Sequence, residues 1–111
     1  GGDHQKITAL DLHDNQLKGS IPAEIEILTD LRLLKLSRNE LTGTPPWVSL
    51  LKLTNLEILD VRENALGGII DEDFKTLTVL QTLLISDNQF EGEIPPDANL
   101  PSSLDTITLE K

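Results

Sequence analysis

Cysteine is absent from this chain of 111 residues. That excludes a disulfide frame, a thiolate nucleophile, a cysteine-ligated zinc and a haem attachment, and it leaves the redox compartment unreadable from composition. Aromatic residues make up only 3% of the chain. A small globular core usually leans on a few large rings, because each buries much area, so here the core has to be built from Leu and Ile. Bases are scarce, 9 against 19 acids, for a formal net charge of -10. Binding to nucleic acid needs Lys and Arg clustered against phosphates, which argues against that partner and against an anionic membrane surface. No apolar run approaches the ~20 residues of a membrane span. The negative charge keeps a repetitive aliphatic protein soluble and leaves a basic partner surface open.

What the chain does have is a period. Asn15, Asn39, Asn64 and Asn88 follow one another at steps of 24, 25 and 24 residues. Each sits in one recurring phrase: LDLHDNQLKGSIP from Leu10, LKLSRNELTGTPP from Leu34, LDVRENALGGIID from Leu59 and LLISDNQFEGEIP from Leu83. A fixed period of this length is the mark of a repeat solenoid, whose coils bury a shared core only by stacking on their neighbours.

Units begin at Ile7, Leu31, Leu56, Leu80 and Leu104, and residues 1–111 read as one domain, part of a longer array. Positions one, four and six of every unit are aliphatic, as in Leu31, Leu34 and Leu36. Alternation at four and six predicts a short strand with one face inward. About five such strands stack in parallel, ~4.8 Å apart. The asparagine at position nine both donates and accepts, and burying it unpaired would be costly. Four in register therefore predict a buried ladder of amide-to-backbone bonds. Position thirteen is Gly19, Gly43, Gly68 and Gly92, where a bend is needed. The return segments around Ile25, Leu50 and Phe74 are too short for regular helices and predict single helical or 3₁₀ turns. The fourth return, rich in proline, predicts irregular chain. Trp47 is expected to cover the convex side of the core.

The candidate binding residues are those at positions three, five, seven and eight, expected to face solvent from the strands: Asp11, His13, Asp14, Leu33, Lys35, Arg38, Ile58, Asp60, Arg62, Glu63, Leu84 and Asp87. Leu33, Ile58 and Leu84 make an apolar patch with charges around it, a pattern that marks protein contacts as well as plain cross-strand packing. Asp11, Lys35 and Asp60 alternate in sign across adjacent strands, as do Asp14, Arg38 and Glu63. His13 beside Asp11 lacks a second reactive group, and one histidine is not a metal site. The Asp71-Glu72-Asp73 run lacks the spaced ligands and turning glycine of a calcium loop. No phosphate-binding loop or nucleophile elbow is present. The residues therefore predict no enzyme, no metal and no cofactor.

The phrase LxxLxLxxNxLxGxIP resembles the plant-type leucine-rich repeat, from Ile7 to Leu109. GSIP and GEIP match it fully, GTPP and GIID in part. The resemblance implies an α/β solenoid: a right-handed superhelix with a parallel, concave β-sheet, short 3₁₀ or irregular convex segments, and a second short sheet from the Leu-x-Gly-x-Ile-Pro stretch. It also implies a function class, since such repeats occur in receptor-kinase ectodomains, receptor-like proteins and inhibitors of cell-wall polygalacturonases. Protein recognition through the concave face is the expectation, at the cell surface or outside the cell. A scaffold segment that extends an array or associates end to end is the alternative, and inhibition of a secreted hydrolase a third. The paired-cysteine caps usual in those ectodomains are absent from this sequence.

Overall fold

The computed structural model describes residues 6–92 and 95–108. His4, Leu109, Glu110 and the Glu93–Ile94 pair of the GEIP phrase lie outside the described residues.

Each unit is one coil of the solenoid. Its first strand belongs to a parallel sheet of five: β1 (Ala9–Asp11), β3 (Leu33–Lys35), β5 (Ile58–Asp60), β7 (Thr82–Leu84) and β9 (Thr106–Thr108). The register follows the sequence period, with Leu10, Leu34, Leu59, Leu83 and Ile107 side by side. A second parallel sheet, β2 (Lys18–Gly19), β4 (Glu40–Gly43), β6 (Ala65–Ile69) and β8 (Gln89–Glu91), runs beside it. The returns are a 3₁₀ turn at Ala23–Ile27, one α-helical turn, α1 (Trp47–Leu50), and 3₁₀ turns at Phe74–Thr76 and Asp97–Asn99. The last of these corrects the expectation of irregular chain. Pro96, extended at φ -68, starts the turn, and its carbonyl accepts from the Asn99 N–H at 2.8 Å. Proline is harmless ahead of a first turn because the N–H it lacks would go unused there.

The aliphatic positions make the core. Leu31, Leu56 and Leu80, with Leu34, Leu59 and Leu83, are wholly buried. The chain's few aromatic rings gather in one place. Trp47, in α1, meets Phe74 edge-on at 5.5 Å and lies 6.2 Å from Phe90. They come from the second, third and fourth coils in turn, and an edge-to-face contact adds to the area they bury.

The asparagines fasten one coil to the coil before it. Asn39 Oδ1 accepts from the backbone N–H groups of Asn15 and Leu17, both at 2.9 Å, and its Nδ2 donates to the carbonyls of Leu12, Leu36 and Ser37. Asn64 and Asn88 repeat this: Oδ1 accepts from Leu41 and Leu66, and Nδ2 donates to Leu36 and Val61 of the preceding coil. Of the four expected to be buried, Asn39 is buried, Asn64 and Asn88 are half-buried, and Asn15 departs furthest. It is exposed, and among the described residues its amide donates only to the His13 carbonyl, at 3.2 Å. The bonds point backwards along the chain, and no earlier coil stands among the described residues for Asn15 to reach.

The same asparagines account for a feature the sequence did not suggest. Position eight, occupied by Asp14, Arg38, Glu63 and Asp87, is left-handed in the first four coils, with φ between 55 and 60. Such a backbone costs of order 1 kcal/mol or more in a residue with a side chain. In three coils the next residue's Nδ2 closes back onto the carbonyls two and three positions earlier, as Asn64 does on Arg62 and Val61 at 3.1 Å. That ring holds the left-handed residue in place and turns its side chain outward.

Candidate recognition surface

The outward face of the five-stranded sheet carries the expected binding columns, with corrections. Position three is open enough to touch a partner: Leu33 and Ile58 are half-buried, as is Leu84 at position five. The patch is therefore a ledge set between neighbours rather than a fully exposed surface. Asp60 was expected at the surface and is only 2% exposed. Ser37 and Ser86 at position seven are buried too. Asp60 lies beneath Arg62, two residues on in the same coil, an effect that strand alternation alone does not register.

In columns five and seven the ion pairs run along strands, not across them. Arg62 donates from its backbone N–H and Nε to Asp60 Oδ1, at 3.2 and 2.9 Å, and from Nη2 to Oδ2 at 2.9 Å. This fork is what allows a carboxylate to sit nine-tenths buried, since an unpaired one would be heavily penalised. Its bonds to Asp60 raise the Arg62 pKa, and the charges of Asp60, Glu63 and Asp87 add to the effect. In the first coil the same two columns hold Asp11 and His13, with Nδ1 to Oδ1 at 2.5 Å. The hydrogen bonds from His13 hold the Asp11 carboxyl below its ordinary value, and Lys35 contributes a smaller pull. The sequence placed these groups on one face but predicted cross-strand alternation. The i, i+2 pairing wins because both members then point to the same side of one strand at fixed spacing.

Position eight side chains of Asp14, Arg38, Glu63 and Asp87 are all exposed. Among the described residues none of the four forms an ion pair. On the opposite side of the molecule, Glu26 accepts from Lys52 Nζ at 2.7 Å and from Ser49 Oγ at 3.2 Å, and the Lys52 bond holds its carboxyl below the ordinary value. Asp73 caps its 3₁₀ turn by accepting from the Lys75 N–H at 2.9 Å. Among the described residues no group of three or more His, Asp or Glu is placed to hold a metal ion, and no helix is long and apolar enough to cross a membrane.

The family model for the Leucine Rich Repeat matches residues 6–28, 55–77 and 79–99. The chain belongs to the leucine-rich repeat family. Its solved neighbours are plant receptor proteins. The structure of the BIR3–SERK2 complex from Arabidopsis thaliana aligns over 99% of this chain with 32% identity and a TM-score of 0.89. The PEPR1–AtPEP1 structure aligns over 91% with 33% identity and a TM-score of 0.84. The ectodomain of the plant membrane receptor kinase GASSHO1/SCHENGEN3 from Arabidopsis thaliana, in complex with CASPARIAN STRIP INTEGRITY FACTOR 2, aligns over 92% with 36% identity and a TM-score of 0.83. The leucine-rich repeat chain spans 58%, 14% and 12% of the lengths of these three neighbours. No curated protein sequence matches it significantly.

Proposed function

We propose that this leucine-rich repeat segment is a non-enzymatic protein-recognition module of a larger protein, working outside the cell through its strand face. The observation that carries the reading is the ledge of Leu33, Ile58 and Leu84, half-buried on three successive coils and bordered by the exposed charges of position eight. An apolar strip rimmed by charge is what a partner's side chains can dry and cover. The neighbours support it: one was solved with AtPEP1, one with CASPARIAN STRIP INTEGRITY FACTOR 2, and BIR3 with SERK2. The candidate contact residues are Asp11, His13, Asp14, Leu33, Lys35, Arg38, Ile58, Arg62, Glu63, Leu84 and Asp87. Asp60 acts beneath them as the group that holds Arg62.

Photo-crosslinking tests the reading. A reactive side chain placed at Leu33, Ile58 or Leu84 should join to one discrete polypeptide in native extracellular fluid, and one at Ile27 or Val48 on the far side should not. Equal adducts from both sides would contradict it.

A second reading, a scaffold segment that stacks end on, has its own observation. Leu10, Leu12 and Leu17 at one end and Leu104 and Ile107 at the other are only partly buried. An open hollow of about 480 Å³ lies against Leu100, Leu104 and Ile107. Sedimentation over a concentration series separates the two: mass that grows with concentration favours stacking, and a constant monomer favours recognition alone.

A further inference from the structure

The flank of the five-stranded sheet, where the returns enter the strands, carries a hollow that the strand-face reading does not use. The first aliphatic residue of each coil anchors this entry, and Leu31 and Leu56 are wholly buried. Residues just before and just after a buried anchor point away from the core. Asp30 and Arg32 thus emerge together beside Leu31, with Lys6 and Thr8 on the coil before and Asn55 on the coil after. These five residues line an open hollow of about 290 Å³. The backbone around it is firmly tied. The Thr8 carbonyl accepts from the Arg32 and Leu33 N–H groups at 2.7 and 3.1 Å, and the Asn55 amide donates to the Thr29 carbonyl at 3.0 Å. The charges, by contrast, are unspent. Among the described residues Lys6 and Asp30 form no ion pair, and the Arg32 side chain has only Glu57 beside it, 4.0 Å from Nε and beyond hydrogen-bond reach. Two cations and an anion therefore border one small space.

We propose that this hollow binds a free α-amino acid by its two charged groups, the carboxylate between Lys6 and Arg32 and the ammonium on Asp30. None of its residues belongs to the candidate contacts of the strand face, so the two readings stand independently. Other ligand classes leave one wall of the hollow unmatched. A simple anion meets Asp30, a simple cation meets Lys6 and Arg32, and an apolar molecule finds no apolar side chain in the lining. A zwitterion answers both signs at once. Its opposite charges sit on one carbon, which suits a cation and an anion two residues apart in one coil. Arg32 offers a planar fork to the carboxylate, and the Thr8 hydroxyl adds a donor beside it. The Asn55 side-chain oxygen remains as an acceptor for the ammonium, its nitrogen being held by Thr29. Glu57, the other charge beside Arg32, holds it only weakly at that distance. The hollow is at the small end of ligand sites, which start at roughly 300 Å³. It reads the α-ammonium and α-carboxylate and leaves the side chain toward solvent. Blocking either charge, as a peptide bond does, replaces an attraction by an unmatched group, and that mismatch is the source of the selectivity.

NMR titration of the isotope-labelled chain tests this with glycine, N-acetylglycine, glycinamide and glucose at matched ionic strength. Glycine should shift the amides of Thr8, Asp30, Arg32 and Asn55 saturably, in the roughly millimolar range. It should bind at least about 5-fold more tightly than either blocked form or glucose. Arg32→Gln should weaken glycine by at least about 5-fold, and this variant keeps the fold because the Arg32 side chain is 67% exposed. Asp30→Asn should bring N-acetylglycine level with glycine, since the repulsion of the lone carboxylate is gone. Lys75→Gln, on the third return, should change neither. A blocked form or glucose binding the parent chain as tightly as glycine would overturn the proposal. So would glycine shifts that survive Arg32→Gln, or no saturable shift up to about 100 mM glycine. None of these outcomes touches the strand face, which the crosslinking decides separately.

Discussion

Asn39 Oδ1 lies 2.9 Å from the backbone nitrogen of Leu17, 22 residues earlier in the chain. That single contact shows how the solenoid is tied. The amide belongs to one coil, but the groups it satisfies belong largely to the one before.

The ladder is directional, so its members are not equivalent. Asn39 makes five hydrogen bonds, and Asn15 donates one. Asn39→Ala should cost roughly 1–3 kcal/mol, because buried backbone groups lose their partners. Asn15→Ala should fall within about 0.5 kcal/mol, as for a surface change. Urea unfolding of the two variants measures both, and equal losses would contradict the directional account.

Gly68 and Gly19 share a left-handed backbone, at φ 83 and 86, but not their surroundings. A Cβ on Gly19 would meet nothing, whereas one on Gly68 would run into the Thr44 side chain. Gly19→Ala should cost about 1 kcal/mol for the backbone alone, and Gly68→Ala distinctly more. Adding Thr44→Ala to the second variant should recover the difference, and thermal unfolding of the three variants reads it directly.

Arg62 shields a buried carboxylate, so removing it should be worse than removing both partners. Arg62→Met should cost about 1–3 kcal/mol, less than the roughly 3–5 kcal/mol of a fully buried pair, because the guanidinium is itself partly exposed. Asp60→Leu with Arg62→Met should cost less than Arg62→Met alone, since Leu84 already occupies the same column of the next strand. A double variant weaker than the single one would show that the pair stabilises the fold in its own right.

Acid should loosen the chain through Glu26. Lys52 holds that carboxyl below its ordinary value of 4.5. Lowered in the folded state, it contributes stability that is present above pH 4.5 and is lost as pH falls through the lower, folded value. Urea midpoints measured between about pH 6 and pH 3 should fall more steeply in the parent than in Glu26→Gln. Parallel curves would contradict the link.

The period carried most of the fold. It located every strand of the five-stranded sheet to within a residue or so, because aliphatic spacing reports burial directly. The asparagines were legible for the same reason: a polar amide in an aliphatic register has to be paired. What the pattern could not report was the backbone of position eight, where Arg38 and Glu63 look like ordinary exposed residues. Their left-handed turn is set by the neighbouring asparagine and leaves no trace in hydrophobicity. The burial of Asp60 was hidden too, because it depends on Arg62 folding over it rather than on strand alternation. The fourth return was misjudged by counting prolines without noticing that Pro96 stands ahead of the turn it was expected to break.

The central claim, that the strand face recognises a protein partner, is tested most directly by calorimetry with the polypeptide captured at that face. Ile58→Arg should weaken its affinity by roughly 10-fold or more, as for a central contact, while Val48→Arg on the far side leaves it within about 2-fold. Equal binding by Ile58→Arg and the parent chain, or a loss confined to Val48→Arg, would contradict the account.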